Sequence, residues 1–155
     1  MRRLLIITLP LLLAFACGGD SKGSSGGKAS TIELTKLGLK ADVPEGATAG
    51  DAIVGEGVMV QGPGIVVTVE VASDTRPKTV EDAQKEADAF SPQNLKSEKL
   101  SDGWALSFEN TGGAGKNYFV QVRRDIAGKA YWCETTAAQP EQQTNALNTC
   151  KSLKA

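Results

Sequence analysis

Apolar and polar side chains alternate along residues 65–72, so that the residues at 65, 67, 69 and 71 share one face. This period of two is typical of a β-strand. Shorter alternating stretches predict strands at residues 31–35 and 38–43, and a weaker one at residues 52–60, which contain two glycines. Turn sequences at 44–46 and 61–64 separate these strands, and such short connections favour antiparallel neighbours.

The apolar spacing changes to that of a helix after Pro77. We predict a first helix over residues 79–90, which begins with a loose capping pattern and ends at a Ser-Pro pair. Its apolar face is formed by residues 80, 83, 87 and 90. A second helix is predicted over residues 140–153, because Pro140 suits the first helical position and an apolar stripe follows it.

Between the helices, three further alternating stretches predict strands at residues 104–109, 118–123 and 129–135. Large apolar side chains occupy both faces of these strands, which indicates a sheet covered on both sides, at least in part. The sequence thus predicts one α+β domain over residues 31–155, with a mainly antiparallel sheet of about six to seven strands packed by two main helices. The connection through the first helix is long enough to allow a single parallel pair.

The first 17 residues differ in composition from the predicted domain. A basic segment is followed by an apolar segment and then by small residues, which lead to Cys17. Two arginines precede an apolar run over residues 4–15, which only Thr8 and Pro10 interrupt. A run of about a dozen residues is too short to cross a bilayer as a helix, which needs roughly 20. It fits the apolar region of a secretory signal peptide.

This order of segments resembles the bacterial lipoprotein signal peptide, in which cleavage falls directly before a cysteine whose thiol carries a diacylglyceryl group. The resemblance implies that residues 1–16 are removed and that Cys17 is the lipidated N-terminus of a cell-envelope protein. Gly18 stands where an Asp would retain a lipoprotein in the inner membrane of enteric bacteria. The outer membrane, facing the periplasm, is therefore favoured if the source has two membranes. An ordinary signal peptide with a chance cysteine is the alternative.

Residues 17–30 follow as a tether rich in Gly and Ser, without a large apolar side chain. A flexible chain of this length spans about 20 Å on average. The formal net charge of the whole chain is −1, and the loss of Arg2 and Arg3 with the leader makes the remainder more acidic. This mild acidity and the lack of a basic stripe argue against a nucleic-acid partner.

The chain contains three cysteines, an odd number for an exported protein. If Cys17 carries the lipid, Cys133 and Cys150 remain as one pair, and an oxidising compartment allows them to form a disulfide. Cys133 lies in the last predicted strand and Cys150 on the apolar stripe of the second helix. The bond would therefore clamp that helix onto the sheet.

Candidate catalytic and metal-binding patterns are few. The chain contains no histidine, which removes the commonest general base and metal ligand, and two cysteines alone do not complete a zinc site. The glycine-rich loop at residues 111–117 lacks the spacing of a phosphate loop. The nearest carboxylate groups, Asp42 with Glu45 and Glu81 with Asp82, lie beside a turn or at a helix start, where acidic residues are favoured. We therefore predict no catalytic residue, cofactor or metal.

The order of strands and helices, with a closing helix, resembles the PsbP-like fold, an antiparallel sheet with helices against it. The segment YWCETT…ALNTCKSLK is similar to the C-terminal signature of bacterial lipoproteins in this group. Known members are mostly noncatalytic. The lipid anchor, the tether and the lack of catalytic residue types favour a noncatalytic, membrane-anchored lipoprotein that binds an envelope protein or another envelope component. The alternative is a small-ligand module with a cleft near Trp104 or Trp132, since aromatic side chains line such clefts well. Core packing is the preferred role of both tryptophans.

Overall fold

A computed structural model describes residues 29–155, so the leader, Cys17 and nearly all of the tether lie outside the described residues. This part of the chain contains nine strands, two α-helices and one short 3₁₀ helix, Thr35–Leu37. The strands are β1 (Ala29–Leu34), β2 (Leu39–Pro44), β3 (Thr48–Asp51), β4 (Val58–Gly62), β5 (Ile65–Val71), β6 (Gln93–Leu100), β7 (Gly103–Gly112), β8 (Gly115–Ile126) and β9 (Lys129–Ala137). The helices are α1 (Val80–Asp88) and α2 (Pro140–Lys151).

Seven of the strands form one sheet in the order β3-β4-β5-β9-β8-β7-β6, and every neighbouring pair is antiparallel. β1 and β2 pair with each other in a separate hairpin. The predicted α+β class, with a mainly antiparallel sheet and two helices, is confirmed. The parallel pair that the first helix allows does not occur among the described strands, because β5 pairs with β9 while β6 lies at the far edge of the sheet.

Each face of the main sheet carries its own core. Helix α2 and the β1–β2 hairpin cover one face, over a largely aliphatic cluster that includes Val67, Val120 and Leu153. Helix α1 covers the β7 side of the other face, over a cluster dominated by Trp104 and Trp132. The coverage of both faces predicted from the strand pattern is therefore confirmed.

The sequence pattern does not predict β6. Its eight residues, QNLKSEKL, are mostly exposed, so they lack the apolar alternation that marks the other strands. β6 forms an edge of the sheet, and its register with β7 shifts between Gln93 and Lys96. The exposed Lys96 and Lys99, together with this irregularity, make the edge a poor template for pairing with another chain.

The weak strand predicted at residues 52–60 is wrong in its first half. β3 ends at Asp51 and β4 begins at Val58, and residues 52–57 form the turn between them. Gly55 has a φ of +81°, a left-handed conformation that interrupts extended backbone. The segment is therefore a hairpin connection followed by a strand.

Helix α1 begins as its capping pattern predicts. The Oγ1 atom of Thr79 accepts a 3.2 Å hydrogen bond from the backbone N–H of Asp82. The helix ends at Asp88, two residues before the predicted end, and Phe90 belongs to the turn that follows. Its buried face consists of Ala83 and Ala87, whose small side chains let the helix lie close to β7.

Candidate functional site

A groove with a volume of about 630 Å³ lies between the β1–β2 hairpin, the turn after β4 and helix α2. Val43, Pro44 and Pro63 contribute apolar atoms to its lining. Its polar lining consists of three carboxylates, two amides and two hydroxyls, those of Asp42, Glu45, Glu141, Asn145, Asn148, Thr149 and Ser152. The groove therefore places hydrogen-bonding groups beside an apolar surface.

Two hydroxyl groups at the end of α2 hold the helix against the edge of β2. The Oγ1 atom of Thr149 donates a 3.0 Å hydrogen bond to the backbone carbonyl of Asp42. The backbone N–H of Asp42 donates a 2.8 Å hydrogen bond to the Oγ atom of Ser152. Lys40 and Lys154 then pair through their backbones, with N–O distances of 2.7 and 3.1 Å. The C-terminal segment thus satisfies backbone groups that an edge strand would otherwise leave open.

Asn145 fixes a second wall of the groove. Its Nδ2 atom donates a 2.9 Å hydrogen bond to the backbone carbonyl of Gly64, in the turn between β4 and β5. Gly64 has a φ of +68°, and a Cβ atom there would lie 3.1 Å from the same Nδ2 atom. Glycine is therefore favoured at this position on both conformational and steric grounds.

The carboxylate of Asp42 supplies a negative charge to the groove. The Oγ1 atom of Thr31 donates a 2.6 Å hydrogen bond to its Oδ1 atom, and the Nζ atom of Lys154 lies 3.3 Å from the same oxygen. The hydrogen bond from Thr31, followed by that from Lys154, lowers the pKa of Asp42 below its usual value of 3.8. Asp42 is therefore ionised at neutral pH and accepts hydrogen bonds.

The disulfide between Cys133 and Cys150 joins α2 to β9, which confirms the predicted pairing. The two Cα atoms are 5.7 Å apart, and both residues are fully buried. Arg124 holds the end of the same helix, because its guanidinium donates to the backbone carbonyls of Cys150 and Lys151 and forms a bidentate ion pair with Asp102. The groove side chains of α2 are thus carried by a helix that is fixed at its C-terminal end.

Trp104 and Trp132 lie in the core beneath α1, and neither lines the groove or the two smaller cavities of about 310 and 150 Å³. Their ring centroids are 5.6 Å apart in an edge-to-face arrangement. The indole N–H of Trp104 donates to the backbone carbonyl of Lys78. The indole nitrogen of Trp132 is buried without a hydrogen-bond partner among the described residues. Both tryptophans therefore have the core-packing role preferred from the sequence.

Arg76 covers one side of Trp132. Its Cζ atom lies 5.0 Å from the ring centroid, and its Nη2 atom lies 2.8 Å from Glu70 and 2.6 Å from Glu134. Although burial opposes the charged form, the hydrogen bond with Glu70 and the charge of Glu134 raise the pKa of Arg76. The cluster thus places a paired positive charge over the indole.

The other candidate groups from the sequence occupy structural positions. Glu81 and Asp82 lie in the first turn of α1, and hydrogen bonds from Thr79 and then Lys85 lower the pKa of Asp82. The glycine-rich segment at residues 111–117 forms the end of β7, a two-residue turn and the start of β8, whereas a phosphate loop leads into a helix.

Within residues 29–155, no three metal-ligating side chains cluster, and no helix has the length and apolar character needed to cross a bilayer. No protein-family model and no curated protein sequence match this chain.

No sequence pattern predicts the groove. Asn145 and Asn148 of α2, with Ser152 directly after the helix, follow helical spacing and form a polar band beside the apolar stripe of α2. Such a band is typical of a solvent-facing helix surface. It becomes part of a binding surface only because the edge of β2 lies next to it.

Proposed function

We propose that this chain is a lipid-anchored, noncatalytic protein of the bacterial cell envelope whose domain binds another envelope component, preferably a protein, in the groove. In this proposal Cys17 carries the lipid and the tether ends where β1 begins, at Ala29, with the domain in the periplasm of a two-membrane source. The observation that carries the binding role is the groove itself, where polar side chains from separate elements converge in a volume of about 630 Å³.

The groups in the groove favour a partner that supplies hydrogen-bond donors. Asp42 and Glu45 contribute carboxylates, and Asn145 uses its amide nitrogen on Gly64, which leaves its amide oxygen as an acceptor. Basic or amide side chains, or exposed backbone N–H groups, match these acceptors. The noncatalytic role is supported by the lack of histidine in the chain and by the low pKa of Asp42, which suits binding better than proton transfer near neutral pH.

We also propose that the domain is PsbP-like. The antiparallel sheet, with a helix against each face, supports this assignment. The closing helix α2 supports it as well, because it follows the last strand of the sheet, as the resemblance requires. Three positions of the segment TCKSLK also have a structural role. Thr149 and Ser152 bind the backbone of β2, and Cys150 forms the disulfide with β9.

A small polar ligand in the same groove is the second candidate function. The groove volume of about 630 Å³ falls within the range of small-molecule sites, roughly 300–1,000 Å³. The sequence predicts a small-ligand cleft near Trp104 or Trp132 as the alternative function. In this second candidate the ligand binds in the groove instead of near the tryptophans.

The substitution Asn148→Arg tests the groove. Asn148 is an exposed residue of α2 that lines the groove, so a long cationic side chain narrows the site and repels basic partner groups without removing a core contact. Ala89→Arg is the matched control, because Ala89 is exposed at the end of α1 and the charge change is the same. The full-length proteins are captured from detergent-solubilised envelope, and both proteins and small molecules that copurify are identified.

The proposal expects a stoichiometric protein that copurifies with the wild type and with Ala89→Arg and is lost from Asn148→Arg. A small molecule with the same dependence supports the second candidate. Equal capture by all three proteins means that the groove is not the binding site.

A further inference from the structure

Two large apolar side chains, Ile53 and Val54, lie almost fully exposed in the turn between β3 and β4, at 85% and 83% accessibility. Neither belongs to a core cluster of the described chain. Val71 is 48% exposed. It lies two residues after Val69, the last residue of β5 that pairs with β4, and therefore at the same end of the sheet. Three of the five exposed large apolar residues of the described chain are thus concentrated at one end, a distribution that marks an interaction surface. We call Ile53 and Val54 the apolar tip.

The apolar tip and the groove lie at opposite ends of β4. Ala29, where the described chain begins, lines the groove together with Gly64, in the turn after β4. The tip lies in the turn before β4, beyond the paired residues Asp51 and Val58. Because β4 is an extended strand, these two turns face opposite ends of the sheet. A chain held through the residues before Ala29 therefore presents the tip away from its attachment.

Acidic groups surround the apolar tip. Glu56 follows it and is exposed, and Asp51 precedes it, with a side chain 84% exposed and 3.3 Å from Lys36. The Oε2 atom of Glu70 lies 3.9 Å from the position that a Cβ atom would take on Gly55, but the Oε1 atom of Glu70 pairs with Arg76, so Glu56 is the acidic group that carries the charge argument. An anionic lipid surface repels such groups, whereas a protein surface with basic residues complements them.

We propose that the apolar tip inserts into an apolar pocket of a partner protein whose rim carries Lys or Arg residues. The two β-branched side chains have few rotamers, so they lose little conformational freedom on insertion. A central aliphatic contact surrounded by complementary charges is a common arrangement at protein interfaces. This surface is distinct from the groove, so the Asn148→Arg result does not decide it.

Site-specific photo-crosslinking in the cells that make the full-length protein tests the proposal. A photoreactive benzophenone amino acid is placed at position 54, and at position 113 as a control in the exposed hairpin between β7 and β8. Ile53→Ser removes half of the apolar tip and Ile53→Leu preserves its apolar character. Glu56→Lys reverses a nearby charge, and Glu86→Lys makes the same change on exposed α1. None of these side chains belongs to a core cluster of the described chain, so folding is retained.

We expect one discrete protein adduct from position 54, with at least a tenfold higher yield than from position 113. Ile53→Ser and Glu56→Lys should each lower the yield at least fivefold, while Ile53→Leu and Glu86→Lys leave it within twofold. Mass spectrometry should map the adduct to an apolar pocket with Lys or Arg at its rim. Adducts only to lipid or only to a second copy of this chain overturn the proposal. So do equal yields from the two positions, or no adduct at all.

Discussion

The hydroxyl of Thr149 donates a 3.0 Å hydrogen bond to the backbone carbonyl of Asp42, and so joins the last helix to the second strand across 107 residues of chain. Ser152 completes the contact, because its Oγ atom accepts the backbone N–H of Asp42. Side chains at the end of α2 therefore take the place of a neighbouring strand. The same contact forms one side of the proposed binding groove.

Thr149→Val should lower the free energy of unfolding by about 1 kcal/mol, because it removes the shorter of the two hydroxyl contacts to the part-buried Asp42 carbonyl and leaves only Ser152 Oγ, at 3.4 Å. Valine has nearly the same shape as threonine, so the loss reports the hydrogen bond. Thr144→Val is the control, since the Thr144 hydroxyl is exposed and bonds only within its own helix. Urea denaturation measures both variants, and equal stabilities would show that the contact contributes little.

Replacement of both Cys133 and Cys150 by Ala should lower the free energy of unfolding by about 3 kcal/mol. The bond closes a loop with a sequence separation of 17 residues and restricts the unfolded chain. Denaturant unfolding of the double variant measures the loss. Peptide mapping of the nonreduced exported protein should show one linked pair, and two free thiols at these positions would contradict the bond.

Thr31→Val and Lys154→Met should each raise the pKa of Asp42, with the larger effect from Thr31→Val, because the Thr31 hydrogen bond is the main cause of the low value. Because the pKa of Asp42 is lower in the folded protein than its usual value of 3.8, the ionised carboxylate stabilises the fold. This contribution is complete above pH 3.8 and is lost as the pH falls through the folded-state pKa of Asp42. Carboxyl chemical shifts followed by NMR titration give the pKa directly. An unchanged titration of Asp42 in Thr31→Val would contradict the assignment.

Arg76→Met should lower the free energy of unfolding by about 1 kcal/mol at neutral pH. The change removes the charge that Glu70 and Glu134 share and exposes one side of Trp132. Tryptophan emission should shift to longer wavelength, because the change opens one side of the Trp132 ring. Arg76→Lys keeps the charge without the planar fork, so we expect an intermediate loss. A loss in Arg76→Lys equal to that in Arg76→Met would argue against the electrostatic explanation.

Cys17→Ser should release the domain from the membrane fraction and abolish labelling by radioactive palmitate, because serine does not supply the thiol that carries the lipid. Cys17 lies outside the described residues, so this prediction rests on the leader pattern alone. Cys133→Ser is the control, since it removes a cysteine without removing the lipid site. A Cys17→Ser protein that stays in the membrane fraction would show that the anchor is of another kind.

Local sequence patterns predict most of the secondary structure of this domain. Period-two alternation marks β5, β7, β8 and β9 because each strand buries at least one apolar face. The cysteine count predicts the Cys133–Cys150 bond. β6 carries no such signal, because an exposed edge strand is stabilised by its hydrogen bonds to β7 and not by a buried face.

The sequence by itself therefore determined the α+β class, both helices, most of the strands and the disulfide, since these follow from short-range periodicity and from residue counts. Only the tertiary structure decided the strand order, the groove and the position of the apolar tip. No sequence pattern predicts the contact between Asp42 and Thr149, because it depends on how the β1–β2 hairpin packs against α2. Ile53 and Val54 read as part of a strand in the sequence, and the glycine-bearing turn places them in solvent instead.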